Sequence, residues 1–216
     1  PGGYYHFMDY VADVQDLIAQ VGRQRVSLVC HSMGGSVGSY YAGAYPDRVH
    51  KLALLEGLGL LEHDINEMPS RVATWIAAWR KAAGNKPRPV ADLEAAAARM
   101  RSHDPLCEVA VAERLAELGT TALPDGRRVF KHDPLHLTPG PYPYTLAMAS
   151  AFWRRIDCPV LVVEAEHSQF RFPKEEREKR LSHFKDVREA VLPGAGHMMQ
   201  RHRPSELAAI LTDFLG

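Results

Sequence analysis

The chain has 216 residues, 46% apolar and 24% charged, an ordinary balance for a folded globular protein that forms one large domain or two small ones. Lys plus Arg and Asp plus Glu both number 26, so no net field favours nucleic acid or an anionic membrane surface. No apolar run approaches the ~20 residues of a membrane span. The three cysteines, Cys30, Cys107 and Cys158, stand at unrelated spacings in or beside apolar runs. They read as reduced buried thiols rather than a disulfide framework or a metal site, which points to a reducing, cytoplasmic compartment.

Pro1-Gly2-Gly3 looks like no natural start, so the beginning is expected to lie elsewhere. From Phe7 to Val21 the apolar positions Phe7, Tyr10, Val11, Val14, Leu17, Ile18 and Val21 fall on one helical face, and Gly22 supplies a stop. A strand follows over Arg25 to Cys30, then the run His31-Ser32-Met33-Gly34-Gly35-Ser36, which has the order strand, sharp turn, helix of a nucleophile elbow. Gly34 and Gly35, with Cys30 in place of the usual first glycine, are expected to be small so that neighbouring backbones can pass. Ser36 to Ala44 continues as a helix that Tyr45-Pro46 ends, and Val49 to Leu55 is the next strand, with Glu56 at its carboxyl end. Two strands joined by such a helix are parallel neighbours in an α/β sheet.

Residues 57–155 lose the strand–helix alternation and read as a helical cap insertion, with helices over Ser70–Ala83, Val90–Arg101, Leu106–Leu118 and Tyr144–Arg155. Pro124-Asp125-Gly126 marks a turn between short extended pieces, and Pro134 to Pro143 is a proline-rich connector. Trp75, Trp79, Tyr142, Tyr144, Phe152 and Trp153 could line an apolar cavity, although aromatics at helical spacing are more often plain core. Alternation resumes with a buried strand over Pro159–Glu164, a charged solvated helix over Pro173–Phe184, a strand over Val187–Leu192, a glycine loop up to His197, and a helix over Ser205–Leu215.

Ser32 is the candidate nucleophile, and the backbone N–H of Met33, first in the following helix, the candidate oxyanion donor. A serine hydroxyl needs a base titrating near neutrality. Of eleven histidines, His197 has the right place, on a loop freed by Gly194 and Gly196 at the carboxyl edge of the sheet. His31 suits a wall or orienting role; His6, His50, His63, His103, His132, His136, His183 and His202 carry no such context. Glu164, Glu166 and His167 only superficially resemble metal ligands, and no metal or organic cofactor is required.

Val26–Gly35, Val49–Glu56, Pro159–Ser168 and Leu192–His197, in that order, make the chain resemble the α/β-hydrolase superfamily, well over the first and last ~60 residues. Gly119-Thr120-Thr121 and Phe130-Lys131-His132-Asp133 are similar to segments of serine-hydrolase-like proteins. The resemblance implies an α/β fold with a mostly parallel sheet, a core formed by residues 1–56 and 156–216, and a cap at 57–155. It also implies a triad acid just after the penultimate strand, but Ser168 stands where the aspartate is expected. Two carboxylates compete for the role: Glu56, at the alternative position seen in haloalkane dehalogenases and some lipases, and Glu166, with Glu164 or no acid at all as the remaining alternatives. Dehalogenase and epoxide-hydrolase chemistry, which uses an aspartate nucleophile, is disfavoured by Ser32.

The resemblance further implies about four strands ahead of the first helix, including a second oxyanion donor, that this chain does not carry. The strand at Arg25–Cys30 is therefore expected to be an open edge, paired by another polypeptide, the N-terminal portion of the same precursor. The first reading is a serine hydrolase acting on a small-molecule carboxylic ester, or a thioester or amide, through an acyl-enzyme. The alternative is a non-catalytic fragment of the same fold that binds a ligand or partner.

Overall fold

The computed structural model describes residues 5–84 and 88–216. Helix α1 (Phe7–Val21) opens with the His6 N–H donating to the Asp9 carboxylate at 3.1 Å and closes on Gly22, whose φ of 71° is the left-handed conformation glycine tolerates best. Its apolar stripe is only partly used: Ile18 is buried, whereas Leu17 and Val21 lie exposed at the far end. Strand β1 (Val26–His31) leads through Ser32 into α2 (Met33–Ala44), and β2 (Val49–Leu55) follows.

After β2 come α3 (Met68–Ala83), α4 (Leu93–His103), α5 (Val109–Gly119), the hairpin β3 (Thr120–Ala122) and β4 (Arg128–Phe130), and α6 (Leu146–Trp153). The hairpin turns at the expected Pro124-Asp125-Gly126, with Gly126 at φ 85° and its N–H on the Leu123 carbonyl at 3.0 Å. The proline-rich connector holds one short 3₁₀ turn, Pro134–Leu137. The last part alternates: β5 (Val160–Ala165), α7 (Lys174–Leu181), β6 (Val187–Leu192), the short α8 (Met199–His202) and α9 (Pro204–Leu215).

The main sheet runs β1-β2-β5-β6, all parallel. Strand β5 is buried along its whole length and β2 over Leu52–Leu55, as both-face coverage of a parallel sheet requires. Alternation sends Leu52, Leu54, Val160 and Val162 to one face, where they pack with Ile18, Tyr40, Tyr41 and Trp153, and sends Ala53, Leu55, Leu161 and Val163 to the other, against Leu207 and Phe214 of α9. Lys51 ties the end of α9 to the sheet, donating to the carbonyls of Phe214 and Leu215 at 2.8 and 3.0 Å. The α9 face reaches β2 and β5 but leaves Val29 of β1 about half exposed, and β1 is an edge of the sheet among the described residues.

Between β2 and β5, Ala96, Ala97, Cys107, Ala112 and Ala116 form a small core of their own for α4 and α5. Helix α6 packs instead with the main core: Trp153 is fully buried and its indole N–H donates to Ser39 Oγ at 3.0 Å. Helix α7 is solvated at Lys174, Glu175, Glu178 and Lys179, as its charges suggest, but not at its end. Its Arg180 is fully buried, stacked 3.9 Å from the Phe172 ring centroid and donating to the carbonyls of Leu58 and Leu60 at 2.6 and 2.8 Å. Those bonds and an ion pair with Glu176 at 2.7 Å satisfy the buried guanidinium, and they fasten the chain leaving β2 to the rest of the core.

Candidate active site

Ser32 sits between β1 and α2 at φ 53°, ψ −122°, a backbone conformation that costs a non-glycine residue on the order of 1–3 kcal/mol and persists only when neighbours enforce it. Its N–H is fixed on the Leu55 carbonyl at 2.9 Å, and its carbonyl accepts the Gly35 N–H at 2.8 Å. A β-carbon on Gly35 would collide with the backbone of Gly57, and one on Gly38 with the sulfur of Cys30. Gly35 is thus required for close approach as expected, and Gly38 is what makes room for Cys30. Gly34 is a correction: a β-carbon there would meet nothing, because that position faces open space. Burial pushes the Cys30 thiol up to about 11, so this neighbour of the elbow is an inert packing group.

His197 arrives on the loop after β6 and places Nε2 2.9 Å from Ser32 Oγ. Its Nδ1 lies 3.3 Å from Glu56 Oε2, which makes Glu56, not Glu166, the carboxylate on the imidazole. An ionised carboxylate only accepts, so the proton rests on Nδ1 and the Nε2 lone pair faces the serine hydroxyl. Glu56 also has positive φ (52°) and its side chain is 3% exposed. Burial alone would raise its pKa, but hydrogen bonds from His197, from the Ser168 hydroxyl and from the Ala165 N–H at 2.7 Å outweigh it and hold the carboxyl below its ordinary value. Ser168, standing where the family aspartate is expected, therefore donates to the Glu56 carboxylate.

The other candidates separate cleanly. Glu166 accepts the Gly194 N–H at 2.8 Å, and Glu164 pairs with Arg177 at 2.9 Å; neither is hydrogen-bonded to His197. His31, expected as a wall or orienting residue, lies against His197: its Nε2–H donates to the His197 backbone carbonyl at 2.7 Å, and the ring centroids are 4.8 Å apart. Burial holds His31 below the usual histidine pKa despite that bond. Met33 is the first residue of α2, and its side chain is half exposed. Of the aromatics singled out from sequence, Tyr144, Phe152 and Trp153 belong to or pack on the core, Trp75 and Trp79 are half-buried on α3, and Tyr142 is 70% exposed. The ring that does meet the site is Phe170, 4.5 Å from His197 and half exposed, three residues beyond His167 in a segment with no periodicity to mark it. Among the described residues no cluster of three or more His, Cys, Asp or Glu is arranged to hold a metal ion, and no helix is long and apolar enough to cross a membrane.

A profile of the alpha/beta hydrolase family matches residues 1–210. The chain belongs to that family. A serine hydrolase-like protein of Dictyostelium discoideum is 24% identical to this alpha/beta hydrolase over 203 residues, 89% of the chain and 56% of the relative, so the chain spans just over half of that protein. Human serine hydrolase-like protein 2 is 26% identical over 231 residues, 100% of this chain and 73% of the relative. Among solved structures, a hypothetical protein of Pseudomonas aeruginosa PAO1 superposes with a TM-score of 0.84 at 29% identity, over 98% of this chain and 73% of that one. The thioesterase domain from the curacin biosynthetic pathway superposes at 0.81 with 21% identity, over 96% and 73%, and shares the fold.

Proposed function

We propose that this alpha/beta hydrolase cleaves a small-molecule carboxylic ester through an acyl-enzyme, with Ser32 as nucleophile, His197 as acid and base, and Glu56 as the residue that orients and charges the imidazole. The observation that carries the reading is the 2.9 Å contact between Ser32 Oγ and His197 Nε2, with Nδ1 turned to a buried ionised carboxylate. Attack forms the Ser32 Oγ–carbon bond while the hydroxyl proton passes to Nε2 and the carbonyl electron pair moves onto oxygen. Collapse of that intermediate breaks the ester C–O bond, and the departing alkoxide takes the proton from Nε2. Water then repeats the sequence on the acyl-enzyme, with His197 removing its proton, and frees the carboxylic acid. The Met33 N–H at the start of α2 is assigned in this scheme as one oxyanion donor, and the part of residues 57–155 ahead of α6 as the cap that shapes the acyl and alcohol sites.

The same chemistry extends to thioesters or amides, and the neighbours include a thioesterase domain and an esterase of Mycobacterium tuberculosis. A second reading, a non-catalytic binding fragment, draws on the open β1 edge. Turnover of a series of p-nitrophenyl esters separates them. Ser32→Ala and His197→Ala should each lower kcat by roughly 10⁴–10⁶-fold, since the pair acts as one unit. Comparable turnover in either variant rejects the hydrolase mechanism.

A further inference from the structure

The loop that carries His197 is held at four consecutive residues. The Gly194 N–H binds Glu166, the Ala195 carbonyl accepts the His167 N–H at 2.8 Å, the Gly196 N–H donates to His202 Nδ1 at 3.0 Å, and the His197 carbonyl accepts from His31. Three of these holds come from residues at the ends of β1 and β5. The fourth differs in kind. His202 accepts on Nδ1, so its proton must sit on Nε2, and Nε2 points at Asp104 Oδ1 at 2.7 Å. Asp104 closes α4, between β2 and β5, and is steadied by Arg201 at 3.4 Å and by the Cys107 N–H on its own carbonyl at 3.0 Å. The His202 and Asp104 side chains are 3% and 9% exposed. Leu106, two residues beyond Asp104, lies against Gly196 so closely that a β-carbon on that glycine would come within 3.1 Å of it.

We infer that Asp104 and His202 form a second, non-catalytic Asp–His pair that positions His197: Asp104 fixes the His202 tautomer, His202 fixes the Gly196 peptide, and that peptide sets where the adjoining imidazole stands. Without an acceptor at position 104 the His202 proton is free to move to Nδ1, where it would face the Gly196 N–H donor to donor and push the loop away. A displacement of about 1 Å at a reacting group can cost on the order of 100-fold in rate. Asp104, in the insertion between β2 and β5, thereby controls where the base stands through His202 and the Gly196 peptide.

The rate arm of the test rests on the proposed hydrolysis; the spectroscopic arm does not. Asp104→Leu and His202→Leu, which remove the acceptors, should lower kcat roughly 10–100-fold with KM unchanged. Asp104→Asn, which keeps an acceptor for Nε2–H, and His202→Asn, which keeps one for the Gly196 N–H, should restore most of that rate. Nitrogen-15 NMR should find neutral, Nε2-protonated His202 in the wild-type chain, and a Gly196 amide proton that moves upfield in Asp104→Leu. Asparagine variants as slow as the leucine ones, or losses that track Tm alone, would overturn the inference. An Nδ1-protonated His202 in the wild type would do so even if the leucine variants fail to fold. If the wild type hydrolyses no ester, the function proposal fails and the spectra alone decide the positioning role.

Discussion

Replacing Glu56 by glutamine is the most informative single change, because it keeps the shape of the buried side chain and removes only its charge. Three donors converge on the carboxylate: the Ala165 N–H on one oxygen, the Ser168 hydroxyl and His197 Nδ1–H on the other. A carboxamide has one acceptor oxygen, so whichever way it turns, its NH2 group opposes a donor. If the NH2 group meets Nδ1, the imidazole is driven to the tautomer that carries its proton on Nε2 and cannot accept one from Ser32. The lost attraction between Glu56 and the imidazolium formed during attack is about 5 kcal/mol at 3.3 Å and an effective dielectric of about 20, close to a 10⁴-fold rate effect. His197 is 23% exposed, which screens part of that, so kcat should fall by about 10²–10⁴-fold. Steady-state hydrolysis of a p-nitrophenyl ester reads it directly, with Glu166→Gln as the control expected to stay within a few-fold. A crippled Glu166→Gln beside an active Glu56→Gln would refute the assignment.

Other consequences follow from the same geometry. Gly35→Ala should fail to fold or lose ~3 kcal/mol or more in denaturant titration, since its β-carbon meets the Gly57 backbone, whereas Gly34→Ala should be neutral or gain up to ~1 kcal/mol; equal losses at the two positions would contradict the packing. Because the folded chain holds Glu56 below its ordinary pKa, its ionised form adds stability at neutral pH that disappears as pH falls from the unfolded-state value through the folded-state one. The Tm gap between wild type and Glu56→Gln should therefore be widest near neutrality and close in acid, and a gap that grows in acid would show the opposite sign. We also propose that another polypeptide strand pairs along β1, an edge of the sheet among the described residues at which Val29 is about half exposed. Residues 1–216 expressed alone should then be poorly soluble and inactive, and the rates, spectra and labelling expected at Ser32, His197 and their neighbours belong to the protein with that strand in place; a monodisperse, cooperatively unfolding, ester-cleaving preparation of residues 1–216 would rule this out.

The parts of the fold visible in the sequence are those where one local rule decides. The 3.6-residue period and terminal glycine place α1 at Phe7–Val21, and the short segment ending at the glycine loop places β6 at Val187–Leu192. Ser32 and His197 were legible for the same reason, each standing at the end of a strand beside glycines. The carboxylate beside the imidazole was legible only as a choice, since sequence offset does not say which one a strand end will aim there; the parallel register hydrogen-bonds the Glu56 N–H to the Val163 carbonyl and leaves its side chain beside His197. Long-range partners left no local trace. Gly57 matters through Gly35, Arg180 through the carbonyls of Leu58 and Leu60, and His202 through Asp104, at separations that no period or motif records.

The central claim is that Ser32 is a nucleophile activated by His197, and covalent trapping tests it without knowledge of the substrate. Folded protein incubated with a fluorophosphonate and digested for peptide mass spectrometry should carry the phosphonyl adduct on Ser32, with labelling lost in Ser32→Ala and strongly slowed in His197→Ala and Glu56→Gln. Folded protein that carries no adduct at Ser32, or that labels Ser32 at the same rate without His197, would contradict the account.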